Sequence, residues 1–127
     1  MGIIKKNLQM SGSKNGRICE VILDSGASAC FVRENVAKEL SQILKAPVTL
    51  AFKLGDASLI KAEYTTDLYV NIKGHNLAHM FLVVPKLAYE VIIGADFLQR
   101  WKIKLDPTTE DFIIDEKALE IVLIVLN

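Results

Sequence analysis

The chain has 127 residues, enough to bury one core and too few for two lobes of ordinary size, so a single domain over residues 1–127 is expected. Fifteen basic residues balance fifteen acidic ones, and no Lys/Arg cluster interleaves with aromatics, which speaks against direct nucleic-acid binding. Met1-Gly2-Ile3-Ile4-Lys5-Lys6 lacks the apolar stretch of a secretory signal, Lys6 stands where myristoylation wants a hydroxyl, and Ile121 to Leu126 is too short to span a bilayer, so no membrane association is expected.

Most of the chain reads as short strands separated by turn residues, the all-β pattern, with two helical interruptions. Gly2 to Met10 and Arg17 to Asp24 are strands around the turn-rich Ser11-Gly12-Ser13-Lys14-Asn15-Gly16, with the first strand expected near an edge. From Arg33 to Leu44 the positions Val36, Ala37, Leu40, Ile43 and Leu44 fall at helical spacing, Glu34 and Lys38 form an i,i+4 pair, and Pro47 bars continuation. Val48 to Leu54 and Leu59 to Ala62 then flank Gly55-Asp56-Ala57-Ser58, a hairpin signal.

Leu68, Val70 and Ile72 alternate with Tyr69, Asn71 and Lys73, Gly74-His75-Asn76 turns the chain, and Leu77 to Val84 returns as a strand ending at Pro85. Glu90 to Ile93 reads as a buried strand and Ala95 to Trp101 as a helix. Ile103 to Leu105, Phe112 to Ile114 and Glu120 to Leu126 are three further strands, joined through Asp106-Pro107-Thr108-Thr109 and Asp115-Glu116-Lys117. Barrel-like closed pairing suits this pattern.

Two segments carry the chemistry. Val21-Ile22-Leu23 runs into Asp24-Ser25-Gly26-Ala27-Ser28, a strand that delivers a carboxylate into a tight glycine-containing loop. About seventy residues on, Val91-Ile92-Ile93-Gly94-Ala95-Asp96-Phe97-Leu98 is an apolar strand that breaks at Gly94 into a short helix. Asp-Ser-Gly alone also occurs in ordinary turns, where Asp accepts local amides. The paired segments, in this order, resemble the retropepsin-like aspartic proteases of retroviruses, gypsy-type retrotransposons and related cellular proteins.

The resemblance covers nearly the whole chain. It implies a mostly β, retropepsin-like acid protease closed barrel with two short helices, acting as a homodimeric aspartic endopeptidase on a peptide or polyprotein, with no cofactor and no metal. Asp24 resembles the catalytic aspartate, and Ser25 the hydroxyl residue that bonds the opposite chain's loop. Gly26 would admit the substrate backbone, and Ala27 and Ser28 would line the floor. Gly94 resembles the glycine that lets the second strand pass behind the aspartate loop. Ile92 faces either a substrate pocket or the core, and Gly55, Asp56 and Ala57 resemble a flap tip. Only one Asp-Ser/Thr-Gly is present, so a second carboxylate has to come from a second copy.

The chain departs from the retroviral pattern at Ser28, where those enzymes carry a second acid, and at Ala95, where they often carry Arg, so the ion pair that braces their dimer is missing. The competing reading is a catalytically silent dimerisation or peptide-binding module of the same fold. Cys19 and Cys30 read as buried free thiols of a reducing, intracellular, cytoplasmic setting, with a disulfide between them as the minor alternative. His75 and His79 have i,i+4 spacing but fall in a turn and a strand, and the cysteines are not spaced as ligands. Asp106, Glu110, Asp111, Asp115 and Glu116 read as solvated acids at strand ends.

Overall fold

The computed structural model describes residues 3–53, 59–117 and 119. Its elements in chain order are β1 (Ile3–Ser11), β2 (Gly16–Asp24), β3 (Phe31–Arg33), α1 (Glu34–Leu40), β4 (Leu44–Lys53), β5 (Leu59–Ile72), β6 (His75–Val84), β7 (Val91–Ile93), α2 (Ala95–Arg100), β8 (Ile103–Asp106) and β9 (Asp111–Ile114). Seven strands form one sheet in the order β1-β2-β7-β3-β6-β5-β4, and β5 returns to pair with β1 through Met10–Val70 and Ser11–Tyr69. That last pairing closes six strands into a barrel and leaves β4 attached outside it. β8 and β9 form a separate two-stranded sheet.

The first strand is therefore not an edge: it is paired on both sides, with β2 along its length and with β5 at its end. The exposed edge is β4, and it holds Pro47, a residue with no amide to give a ladder. The register of β4 against β5 shifts between Lys45 and Leu50, around that proline.

The long β5–β6 hairpin shows the alternation that the sequence carries: Leu68, Val70, Ile72, Leu77 and Phe81 are buried. Its turn is tighter than expected. Lys73 and Gly74 have φ of 48° and 87°, while His75 and Asn76 already pair with Ile72 and Asn71. Gly74 meets no steric cost at that φ, and the Asn71 carboxamide oxygen accepts the Gly74 amide at 3.2 Å.

Helix α1 ends at Leu40, four residues before the expected Leu44. The cause lies in the β1–β2 turn. The amides of Lys14 and Asn15 both donate to the Leu40 carbonyl, at 2.9 and 3.1 Å, so the turn caps the helix. Ser41 then leaves in extended conformation and its buried hydroxyl meets Ser13 Oγ at 3.1 Å. A Cβ on Gly12 would lie 2.5 Å from the Leu40 carbonyl oxygen, so the turn docks this closely only because that residue is glycine.

The main core joins β1, β2, α1, β5, β6, β7 and α2, with Leu40, Leu68, Phe81, Ile93 and Phe97 wholly buried. Both cysteines are free and buried. Beyond β9, Glu116, Lys117 and Leu119 are helical rather than a plain joint, and Leu119 packs into the main core. The expected strand Glu120 to Leu126 lies outside the described residues. None of the described helices is long and apolar enough to cross a membrane.

Candidate active site

The candidate site starts from a strand insertion. β7, far along the chain, lies between β2 and β3, parallel to the first and antiparallel to the second. Val21, Ile22 and Leu23 face Val91, Ile92 and Ile93, so the two apolar strands run side by side and their ends, Asp24 and Gly94, emerge together. Both strands are buried on both faces, which is why they read as continuous apolar runs.

The loop after Asp24 is held by the backbone. Ala27 N donates to the Asp24 carbonyl at 3.1 Å, and Ala95 N donates to the Ala27 carbonyl at 2.7 Å. A Cβ on Gly94 would lie 2.3 Å from the Ala29 carbonyl oxygen and 2.6 Å from that of Ala27. The approach of the second segment to the loop therefore depends on a missing side chain. Gly94 has φ of −102°, so it is the contact and not the dihedral that excludes larger residues.

Asp24 is half-buried, with Oδ1 accepting the Gly26 amide at 2.9 Å, while Ser25, Gly26 and Ser28 are exposed. Alternation along β2 puts Ile22 on the same side of the sheet as Asp24, and Val21 and Leu23 on the main-core side. Ile22 belongs to a second, smaller apolar cluster with Phe31, Ala62, Leu82, Val84, Leu87 and Ile92, flanked by Ala27, Ala29, Phe52 and Ile60. Ile92, left open between pocket and core by the sequence, sits in this cluster with 9% of its surface exposed.

The β4–β5 hairpin leans over the same cluster: Phe52 meets Phe31 edge-on, with ring centroids 5.1 Å apart. Val48 and Leu59 on that hairpin stay 60% and 67% exposed among exposed Lys53, Lys61 and Glu63, so its outer surface is mixed in character. Gly55, Asp56 and Ala57, the expected flap tip, lie outside the described residues.

Two groupings escape a reading of the sequence. Arg17 bridges Glu39 of α1 at 2.7 Å and Glu90 at 2.8 Å, and Glu90 also accepts the Glu20 amide at 2.9 Å. The Arg17 hydrogen bond, then that amide, holds the Glu90 carboxyl below its ordinary range, and the two carboxylates raise Arg17 further. The second grouping is Cys30, His79 and Asp96, drawn together from the segment before β3, from β6 and from α2. One signal for it is present in the sequence: His79 occupies the buried phase of β6 between Leu77 and Phe81. His75, at i−4 along a strand, sits about 13 Å away along the same face and makes no pair with it.

Fold and site now stand beside known proteins. The family model described as "gag-polyprotein putative aspartyl protease" matches residues 10–100. The chain belongs to this family of retropepsin-like aspartyl proteases. No curated protein matches it in sequence.

Among solved structures, it is similar to the retroviral protease-like domain of Ddi1 from Leishmania major, at 16% identity and TM-score 0.55, covering 91% of this chain and 89% of that one. It is also similar to EIAV protease in complex with the inhibitor HBY-793, at 19% identity and TM-score 0.60, covering 80% and 90%. At these identities the likeness establishes the shared fold, a mostly β retropepsin-like barrel with two helices.

Proposed function

We propose that the protein is a homodimeric aspartic endopeptidase, a single retropepsin-like domain whose catalytic pair is one Asp24 from each of two copies. The observation that carries this reading is the placement of Asp24: a half-buried carboxylate on a braced loop, facing the side of the sheet where the small apolar cluster lies. Each chain offers one such loop, which is half of what the chemistry needs.

Peptide hydrolysis requires a base toward water and an acid toward the carbonyl oxygen. Two carboxylates held close together cannot both ionise cheaply, so they share one proton and supply both roles. The ionised Asp24 takes a proton from the water as its oxygen bonds to the carbonyl carbon, and the protonated Asp24 of the other copy gives its proton to the carbonyl oxygen. The protonated member then gives its proton to the amine nitrogen while the other carboxylate takes one from a hydroxyl of the tetrahedral diol. The carbonyl re-forms as the C–N bond breaks, and the pair again holds one shared proton.

Ser25, exposed beside Asp24, is assigned to the contact between the two loops, and Gly26, Ala27 and Ser28 to the floor under the peptide backbone. Ile92 and its neighbours in the apolar cluster favour hydrophobic side chains around the cleaved bond. Gly55, Asp56 and Ala57 are assigned to the flap tip, an assignment supported by the hairpin arms leaning toward the cluster through Phe52. Gly94 is assigned a structural role behind the loop.

The test is a peptide-library cleavage assay with wild-type and Asp24→Asn protein. The substitution keeps the shape of the side chain and removes both base and acid. Cleavage that disappears in a folded Asp24→Asn variant supports the reading. Cleavage that persists in it removes Asp24 from the mechanism, and a wild-type protein that binds peptides without cutting them favours the silent module.

A further inference from the structure

Outside the Asp24 region, the described residues hold one grouping whose atoms suit a ligand other than a peptide. Cys30 Sγ lies 3.1 Å from Asp96 Oδ1, His79 Nε2 lies 3.0 Å from Asp96 Oδ2, and the three ligand atoms all fall within 4.8 Å of one another. We propose that Cys30, His79 and Asp96 form a binding site for a divalent transition ion of the zinc class, behind the Asp24 loop and separate from peptide chemistry.

The donor set points to the ion. A thiolate, an imidazole and a carboxylate are the three ligand types of tetrahedral zinc, and three protein ligands leave a fourth position for water. Zinc bonds of about 2.0–2.3 Å put tetrahedral ligand atoms about 3.3–3.6 Å apart. The Asp96 oxygens already lie 3.1 and 3.0 Å from the two partners and no pair of ligand atoms is wider than 4.8 Å, so binding needs only the widest separation to close by about an ångström. The open side is also identifiable. Cys30 is 1% exposed and the His79 side chain 10%, whereas the Asp96 side chain is 38% exposed, so an ion would enter past Asp96 and keep its water there.

A hydrogen-bonded brace is the simpler use of the same atoms, and under either use one ring nitrogen of His79 stays buried without a hydrogen-bond partner. His79 is packed in T-shaped contact with Phe81 and Phe97, at 5.8 and 5.3 Å between ring centroids, and its Nδ1 is buried with no hydrogen-bond partner. If holding Asp96 were the whole task, a side chain without a second ring nitrogen would do it at lower cost. Imidazole is the choice that adds ligation.

Proton balance is simple. Without metal, the Cys30 thiol is held protonated by burial and the hydrogen bond to Asp96. On binding, the S–H proton leaves to solvent as the sulfur–metal bond forms, and the imidazole proton moves from Nε2 to Nδ1, freeing Nε2 to ligate. Nδ1–H then has only the aromatic rings beside it, which keeps the affinity below that of sites with a carboxylate behind the histidine.

The position gives binding a mechanical consequence. Gly94 N donates to Cys30 Sγ at 3.3 Å, so the ion would tie the end of the Asp24 loop to β6 and to α2 at the point where Gly94 passes. Cys30 belongs to the main core and not to the small cluster beside Asp24, so the ion would stiffen the loop from behind without meeting substrate.

Cobalt(II) titration of the reduced full-length chain tests this without reference to peptidase activity. The expected result is one Co²⁺ per chain, with a near-ultraviolet thiolate-to-cobalt charge-transfer band and intense visible bands of tetrahedral geometry, both removed by added Zn²⁺. Cys30→Ser and His79→Gln should abolish the band, and Cys19→Ser should keep it. Asp96→Asn preserves shape and hydrogen bonding and guards against a misfolded cysteine variant; it should weaken Co²⁺ binding at least tenfold. Zn²⁺ at a concentration that just saturates wild type should raise its melting temperature by about 5 °C and raise that of Asp96→Asn by clearly less. A wild-type chain without the charge-transfer band, or a band that depends on Cys19 and not Cys30, would overturn the proposal.

Discussion

The backbone of Ala95 donates to the carbonyl of Ala27 at 2.7 Å, across 68 residues of sequence, and this bond joins the start of α2 to the loop that carries Asp24. The contact is possible because the preceding residue, Gly94, has no side chain to meet the Ala27 and Ala29 carbonyls. Loop position is thus set by backbone against backbone, with no rotamer available to absorb an error.

Gly94→Ala is accordingly expected to be disruptive. The added methyl would sit 2.3 Å from a backbone oxygen, so either the loop or β7 must shift. Urea melts should show a loss of about 3 kcal/mol, and peptidase activity should fall well beyond what that loss explains. A variant with wild-type stability and activity would mean that the loop is not braced here.

Asp24→Asn should lower kcat by about 1,000-fold or more while leaving the thermal midpoint nearly unchanged, because in the proposed site the carboxylate supplies chemistry and, among the described residues, accepts one local hydrogen bond. Circular dichroism and a fluorogenic peptide assay on the same preparation make the comparison.

If one Asp24 from each chain forms the pair, activity should trace a bell against pH, since a doubly protonated pair lacks its base and a doubly ionised one lacks its acid. The two limbs belong to the pair as a whole. A profile flat from acid to alkaline pH counts against a shared proton.

Specific activity should also rise with protein concentration. In the proposed two-chain site a single chain holds half, and the family resemblance implies that Ser28 and Ala95 leave the dimer without a bracing ion pair. Dilution series of activity, read beside sedimentation velocity, should give one common midpoint. Activity per chain that stays constant down to concentrations where only monomer sediments would exclude the two-chain site.

The Arg17–Glu90 pair gives a pH-dependent share of stability. Glu90 is held below its ordinary value in the fold by Arg17 and the Glu20 amide, so its contribution is complete above the ordinary carboxylate range and fades as pH falls through the folded value. Glu90→Gln should cost about 1–2 kcal/mol at pH 7, with the difference from wild type shrinking below about pH 4. A constant difference across that range would show that the charge on Glu90 is not what stabilises the pair.

Several features are legible in the order of residues alone because they are local. The β5–β6 alternation reflects one buried face, and it shows in Leu68, Val70 and Ile72 without knowledge of what covers them. The runs Val21-Ile22-Leu23 and Val91-Ile92-Ile93 announce strands buried on both sides, and their endings at Asp24 and Gly94 carry the family resemblance.

Only the tertiary structure decided what these segments meet. Leu40 ends α1 because amides from residues 14 and 15 take its carbonyl, a competition that no helical periodicity reports. β1 has the look of an edge strand because its second partner, β5, is some sixty residues away and is met only when the barrel closes. Cys30, His79 and Asp96 carry no shared spacing, since a loop, a strand and a helix with three different periodicities bring them together. Residue order dictates which face of a segment avoids water. Partner choice depends on how all the faces are satisfied at once, and that is settled only in the closed barrel.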